Sequence, residues 1–435
     1  MIKLYFKQAW RLLKQNKLFS SIYIIGTGLA ISTVMVLAII YYVKIAPIYP
    51  EVNRDRTLCQ ETLRLENTKG SMQMGFVSVK AMNEIFYPLQ TPEAVTAIIP
   101  AMEGNVTIPV TMEDIPILAI ATDSAYWRVF GFSFIEGKPF TGSDVRSGIN
   151  VAVISDILAR KVFGSDSALG KTITVDFYDY RVCGVVRSPS YITPNSYAEV
   201  WIPYTRLFDN RYELQRGDDP WRSWFGSFKV YMLAHSSNDF KAIRKEINER
   251  IAKQNTVDIT MVMSTDGYPD EQWQTMYREL SDYDSDWNTG LKKTVAMFLL
   301  LLLIPAVNLS GIIYSRMDKR IGEMGVRKAF GARRYSLFNQ MIFENLILTC
   351  LGGLFGLLLS YLIIVFSQDW IFDIMTEYVE VVHDEAKVSL SLSMLLNPTV
   401  FTVTFLSCLV LNLFSAMFPV WRLMRKNIVE SLNTK

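Results

Sequence analysis

Two stretches of this chain carry residues whose types and spacing approach known chemistry, and each falls short of it. Gly164-Ser-Asp-Ser-Ala-Leu-Gly170-Lys171-Thr172 comes close to a phosphate-binding loop. Such a loop needs four residues between its glycines so that successive N–H groups ring the phosphate. Here there are five. Asp282, Asp284 and Asp286 have the spacing of a calcium loop. However, its sixth position is Trp287 where the sharp turn needs Gly, and its twelfth is Lys293 where a bidentate Glu belongs. An acidic run that starts a helix is the simpler reading. His235 and His383 are the only histidines, which excludes multi-histidine metal sites and leaves base-assisted nucleophilic catalysis little to draw on. No Gly-x-Ser-x-Gly or His-Glu-x-x-His occurs. Cys59 and Cys183 are isolated and predict no firm pairing, and Cys350 and Cys408 lie in apolar runs, where a small apolar role is the default. No catalytic residue, metal site or cofactor is expected in this chain.

A third stretch, with no catalytic pattern, is the most specific. It runs from Asn308-Leu-Ser-Gly311 through Arg316, Lys319 and Arg320 to Glu323-Met-Gly325-Val-Arg327-Lys328-Ala329-Phe-Gly331-Ala332. A loop selected only for positive charge would explain its basic residues, but not the small ones. Glu323 stands four residues before Arg327, the spacing of an ion pair on a helix. Ala329 and Gly331 leave room for another protein to approach, and Gly331 can end a helix in a left-handed conformation. A short rigid helix pinned between two fixed elements transmits displacement, whereas a floppy loop would absorb it.

The elements that must pin it are membrane helices. The chain has 435 residues, half of them hydrophobic and a fifth charged. Four runs, 18–43, 294–315, 345–368 and 397–421, contain no Asp, Lys or Arg in their interiors. Each is long enough for a bilayer core of about 30 Å, which takes about 20 helical residues. The first run is too long for a signal peptide and lacks a small-residue cleavage pattern, so it reads as a permanent anchor. Lys and Arg crowd residues 1–17, 316–344 and 422–435, while the 369–396 loop is acidic. The positive-inside rule then places both termini and the 316–344 loop in the cytoplasm. Tyr23, Tyr41, Tyr42, Trp370 and Trp421 mark the expected interfaces. In residues 1–17, Lys3, Lys7, Arg11, Lys14 and Lys17 share one helical face, opposite Ile2, Phe6 and Leu13. That segregation predicts an interfacial helix on the anionic lipid of the inner leaflet. With no ionisable group inside the spans, no ion relay is visible. Gly352, Gly356 and Ser360 lie four apart, a spacing that serves helix packing within the subunit or contact in a dimer.

Residues 44–293 form a large insertion of soluble composition. With 27 basic and 32 acidic residues in it, nothing points to nucleic acid as a ligand. Strands are expected at 150–155, 171–178 and 180–186, with a tight turn at Asp179, and again at 256–263. Helices are expected at 156–163 and 238–255. The Pro-rich, polar stretch 187–225 reads as an extended connection. The fold class is therefore an α-helical membrane protein with four transmembrane helices and a large α+β extracytoplasmic domain inserted between helices 1 and 2.

The Glu323-x-Gly325-x-Arg327-Lys328-Ala329-x-Gly331-Ala332 pattern resembles the permease subunits of the MacB/FtsX family of ABC transporters. Phe130-Gly-Phe-Ser-Phe134 with Gly137, Val151–Ser155, Lys161–Gly164, Ala168–Lys171 and Val182–Val186 resemble that family's periplasmic core domain. Phe418 to Leu432 is similar to its terminal segment, with Asn427 where a proline is usual. The resemblance implies a subunit of the cell inner membrane whose large domain is periplasmic. It also implies that Glu323, Gly325, Arg327, Lys328, Ala329 and Gly331 couple the subunit to an ABC ATPase. MacB carries its ATPase fused ahead of the first span, where this chain has 17 residues, so the motor, with its ATP and Mg, is expected on a separate partner. A homodimer, or a heterodimer with a related permease, is implied too. A periplasmic adaptor and an outer-membrane channel are further partners that the family admits. The expected work is efflux or extraction of a hydrophobic, peptide or lipoprotein substrate, driven by motion transmitted across the membrane. The alternative is an FtsX-like regulator that activates a cell-wall hydrolase.

Overall fold

The computed structural model describes residues 17–424, apart from 68, 110–111, 166, 208–222, 258–259, 280–285, 319–321, 323–325, 328 and 376–396. Most of the N-terminal interfacial helix and most of the acidic 369–396 loop lie outside the described residues. The chain divides into two compact units, one built on Val43–Leu291 and the other on the long apolar helices.

The helical unit is built on α1 (Lys17–Ile45), whose last three residues belong to the other unit. The remaining long helices, numbered in chain order after those of the α+β unit, are α5 (Trp287–Asp318), α6 (Arg334–Met375) and α7 (Pro398–Met424). Three stretches of described residues are long and apolar enough to cross a membrane: Ser20–Ile45, Tyr335–Ser367 and Pro398–Met417. The expected span 294–315 lies within α5. Helix α6 also overruns its expected span at both ends, because helical hydrogen bonding continues past the apolar stretch into polar sequence. In this unit Tyr23, Leu337, Met341, Leu348, Ala416 and Val420 form one buried cluster, and Ile31, Val34, Met35 and Cys408 form another. The Tyr23 hydroxyl pairs with that of Thr349 at 3.1 Å.

The α+β unit has two sheets. The strands are β1 (Thr57–Gln60), β2 (Thr62–Asn67), β3 (Met72–Val77), β4 (Ala94–Thr107), β5 (Asp114–Thr122), β6 (Phe134–Gly137), β7 (Val151–Ser155), β8 (Thr172–Val175), β9 (Tyr178–Val186), β10 (Val200–Pro203), β11 (Phe225–Gly226), β12 (Lys229–Leu233), β13 (Met261–Ser264) and β14 (Asp270–Glu271). Its helices include α2 (Asp156–Phe163), α3 (Phe240–Val257) and α4 (Gln272–Glu279). The smaller sheet runs β11-β3-β2-β13 and the larger β14-β1-β12-β4-β5-β10-β7-β9-β6. Because β8 pairs with both β4 and β9, strands β4, β5, β10, β7, β9 and β8 close into a ring. Val106, Ile117, Ala152, Ile154, Val182 and Val200 belong to one buried cluster with residues of α2.

Local sequence explains several of these elements. Residues Val151 to Ile154 of β7 are all apolar because both faces of the strand are covered: Ala152 and Ile154 lie in one buried cluster and Val153 in another. The Ser155 hydroxyl accepts the N–H of Leu158 to start α2, and Gly164, at φ 69°, ends it. The Phe130–Phe134 motif is core. Phe130 and Phe132 ring Tyr126, and the indole N–H of buried Trp201 donates to the Tyr126 hydroxyl at 3.1 Å.

Two expectations are corrected. The stretch 187–225 is not simply a connection, since β10 lies within it and is fully buried between β5 and β7. Tertiary pairing overrides the Pro-rich composition there. The β8–β9 turn falls at Asp176-Phe177, both at positive φ, rather than at Asp179, whose main chain pairs with Thr174.

Candidate coupling site

Of the six expected coupling residues, Glu323, Gly325 and Lys328 lie outside the described residues, so the Glu323–Arg327 pair cannot be drawn. Arg327, Ala329 and Gly331 are described, and all three are exposed. A helical turn joins them: the N–H of Phe330 donates to the carbonyl of Val326, and that of Ala332 to the carbonyl of Arg327, both at 3.0 Å. Gly331 ends the turn at φ 86°, a conformation that costs an L side chain roughly 1 kcal/mol or more. Arg327 reaches forward onto α6, where its guanidinium donates to Gln340 Oε1 at 3.2 Å. Gln340 in turn donates to the buried Glu344 at 3.4 Å. The turn is thereby tied to the helix that follows it.

What the turn presents is apolar. Phe330 is 89 % exposed, Tyr335 75 % and Val326 45 %. Val326 and Phe330 are four apart and share a face. A solvated loop has no use for a nearly bare phenyl ring, but a protein-binding surface does. The sequence pattern drew attention to the charges and small residues around Phe330 and passed over the ring. The signal was there, in a large apolar residue placed between Ala329 and Gly331.

Gly352 and Gly356 face α1 within the same unit. A side chain at Gly352 would collide with Thr27, and one at Gly356 with the carbonyl of Gly28. The Ser360 hydroxyl donates to Leu357 O at 2.9 Å and lies 3.8 Å from the Met35 sulfur. These small residues let α1 and α6 approach closely.

Among the described residues, several buried polar groups of the α+β unit serve structural contacts. In the near-phosphate loop Glu136 accepts from the N–H groups of Ala168 at 3.2 Å and Leu169 at 3.4 Å. Burial pushes the carboxyls of Asp123 and Glu199 up. Asp123 accepts from Tyr87, Thr96 and the N–H groups of Ala97, Ala125 and Tyr126, and Glu199 from Leu118 and Tyr197, so both act as buried braces. Burial also raises the Cys59 thiol to about 12 and the Cys183 thiol to about 11, and both are free. Among the described residues no His, Cys, Asp and Glu cluster could hold a metal.

Comparison with known proteins now gives the class. A model of the MacB-like periplasmic core domain matches residues 21–250, and one of the FtsX-like permease C-terminal region matches 295–428. The chain belongs to the MacB/FtsX-like family of ABC transporter permeases. It is 22 % identical over 250 residues to the ABC transporter permease YknZ of Bacillus subtilis (strain 168), an alignment covering 55 % of each chain. It is 22 % identical over 365 residues to the macrolide export ATP-binding/permease protein MacB 1 of Yersinia pestis bv. Antiqua (strain Antiqua), covering 82 % of this chain and 52 % of that one. The chain thus spans about half the length of these relatives. Among solved structures, the extracellular domain of a YknZ from Gram-positive bacteria aligns with 18 % identity and a TM-score of 0.30, over 47 % of this chain and 100 % of that one. The periplasmic region of MacB from Actinobacillus actinomycetemcomitans aligns with 15 % identity and a TM-score of 0.32, over 47 % and 88 %.

Proposed function

We propose that this chain is the permease subunit of an ABC transporter whose ATPase is a separate partner, and that it passes ATP-driven motion to its extracytoplasmic domain. The observation that carries this is the turn at 326–331. It is ended by Gly331 and tied to α6 through Arg327 and Gln340, and it displays Phe330 to solvent. In this reading α5 is the remaining span, the turn is cytoplasmic, and the subunit works in the inner membrane as a dimer. ATP and Mg are bound by the partner. The substrate class is hydrophobic, peptide or lipoprotein, handed on through a periplasmic adaptor and outer-membrane channel where the cell has them.

The test is co-purification. The ATPase encoded nearest to this chain, co-expressed with it, is expected to remain bound through detergent extraction and to be lost on Phe330→Asp, while the variant still inserts and unfolds at the wild-type temperature. Failure of the wild-type chain to retain an ATPase would overturn the reading.

A further inference from the structure

Two ion pairs in the α+β unit differ from the other described ones in having both side chains less than a tenth exposed: Arg54–Glu51, at 2 % and 2 %, and Arg278–Asp270, at 8 % and 1 %. Their positions along the chain are as unusual as their burial. Arg54 follows the end of α1 by about ten residues, and Arg278 precedes the start of α5 by about ten. One buried pair therefore stands where the chain enters the unit and one where it leaves.

The first pair holds the outer end of α1. Arg54 Nη1 donates to the carbonyls of Val43 at 3.0 Å, Lys44 at 3.2 Å and Ala46 at 3.0 Å. These are carbonyls at a helix C-terminus that no later turn can satisfy, and a cation there also complements the helix dipole. Glu51 binds Arg54 Nε at 2.7 Å with one oxygen, and with the other it accepts the Ser196 hydroxyl at 2.9 Å. Ser196 lies on the segment leading into β10, so the chain of contacts runs from the helix end to the central ring of strands.

The second pair holds α4, the last element before α5. Arg278 donates to Asp270 of β14 at 2.8 Å and lies 4.0 Å over the Tyr268 ring. Helix α4 then grips the first turn of α5, with the Trp273 and Trp287 rings edge to face at 5.1 Å.

A buried ion pair is a poor source of net stability, since desolvation offsets most of the attraction, and its best-attested use is to fix one arrangement among several. We propose that these two pairs are joints. Arg54–Glu51 locks the end of α1, and Arg278–Asp270 locks the entry to α5. Displacement of either helix then turns the α+β unit as a body instead of being lost in the connection. This rests on the coupling reading above.

Hydrogen exchange on the full chain in phosphatidylethanolamine/phosphatidylglycerol nanodiscs tests the joints without any ATPase. Arg54→Gln is expected to speed exchange at 40–46 at least tenfold, and Arg278→Gln to do so at 287–294, with 151–155 and 230–233 unchanged. Unchanged exchange at both helix ends, or acceleration spread equally into those strands, would overturn the proposal. The double variant Arg54→Met/Glu51→Met removes the pair without leaving a lone buried charge. In complex with the ATPase it is expected to hydrolyse ATP while its outer unit no longer responds to nucleotide. A wild-type response from that variant would overturn the joints and leave the coupling reading standing. If the wild-type complex itself shows no nucleotide response, the coupling reading fails, and the exchange rates still decide whether the pairs fix the helix ends.

Discussion

Gly290, in the first turn of α5, lies against the main-chain carbonyl of Tyr277 on α4 with no space for a methyl group. The contact is to backbone, which cannot swing aside as a side chain would. Gly290→Ala should therefore part the two helices and destabilise the α+β unit by about 1–3 kcal/mol, the usual range for overpacking. Tryptophan fluorescence during urea unfolding would measure it. Asn288→Ala, at an exposed position two residues away, should leave the midpoint within experimental error.

The helical unit makes a parallel prediction. Gly356→Leu must drive α6 away from the Gly28 carbonyl and Ile31 of α1. Thermal stability of the detergent-solubilised monomer should fall, again by about 1–3 kcal/mol. If instead the monomer is unaffected and only dimers are lost on size exclusion, the glycine serves subunit contact.

Gln340→Leu removes the acceptor that ties Arg327 to α6. A hydrogen bond to a charged group contributes about 1.5–3 kcal/mol. Part of that is recovered by water at the exposed Arg327 guanidinium, so we expect ATPase affinity to weaken by roughly three- to tenfold, each tenfold being about 1.4 kcal/mol. Titration of the purified ATPase into nanodisc-held permease would report the change, and an unaltered Kd would show that the turn holds its shape without the tie.

Asp156 gives a pH signature. Burial pushes its carboxyl up, but the hydroxyl and N–H of Ser188 and the guanidinium of Arg160 outweigh that, leaving it below the ordinary 3.8. A lowered native value means that the stabilisation is fully present above the unfolded value and disappears as pH falls through the native one. Wild type should therefore exceed Asp156→Asn in stability at pH 6. The gap should begin to close near pH 4 and go on closing as pH falls further through the native value. Urea midpoints across that range would show it, and a gap independent of pH would rule the charge out.

Much of the framework was legible because it rests on local signals. The apolar run Val151–Ile154 of β7, the Ser155 and Gly164 caps of α2 and the amphipathic pattern of α3 are read from neighbours within a few residues. Strand β10 was not legible, because four residues flanked by proline and polar sequence become a central strand only through β5 and β7, which are distant in the chain. The turn at 326–331 falls within the stretch that the motif singled out, yet Phe330 was missed, since an apolar ring is notable only once its exposure is known. Arg54 and Arg278 look like any other surface arginines in sequence, because their burial is a property of the assembled unit alone.

Strands β1 and β14 are paired, Leu58 opposite Glu271 and Cys59 opposite Asp270. Adjacent strands are about 4.8 Å apart, so some two hundred residues depart from and return to nearly the same point. To the membrane helices, such an insertion is a cassette plugged into a two-pin socket. Its contents can be enlarged, trimmed or exchanged without changing the gap its ends must bridge.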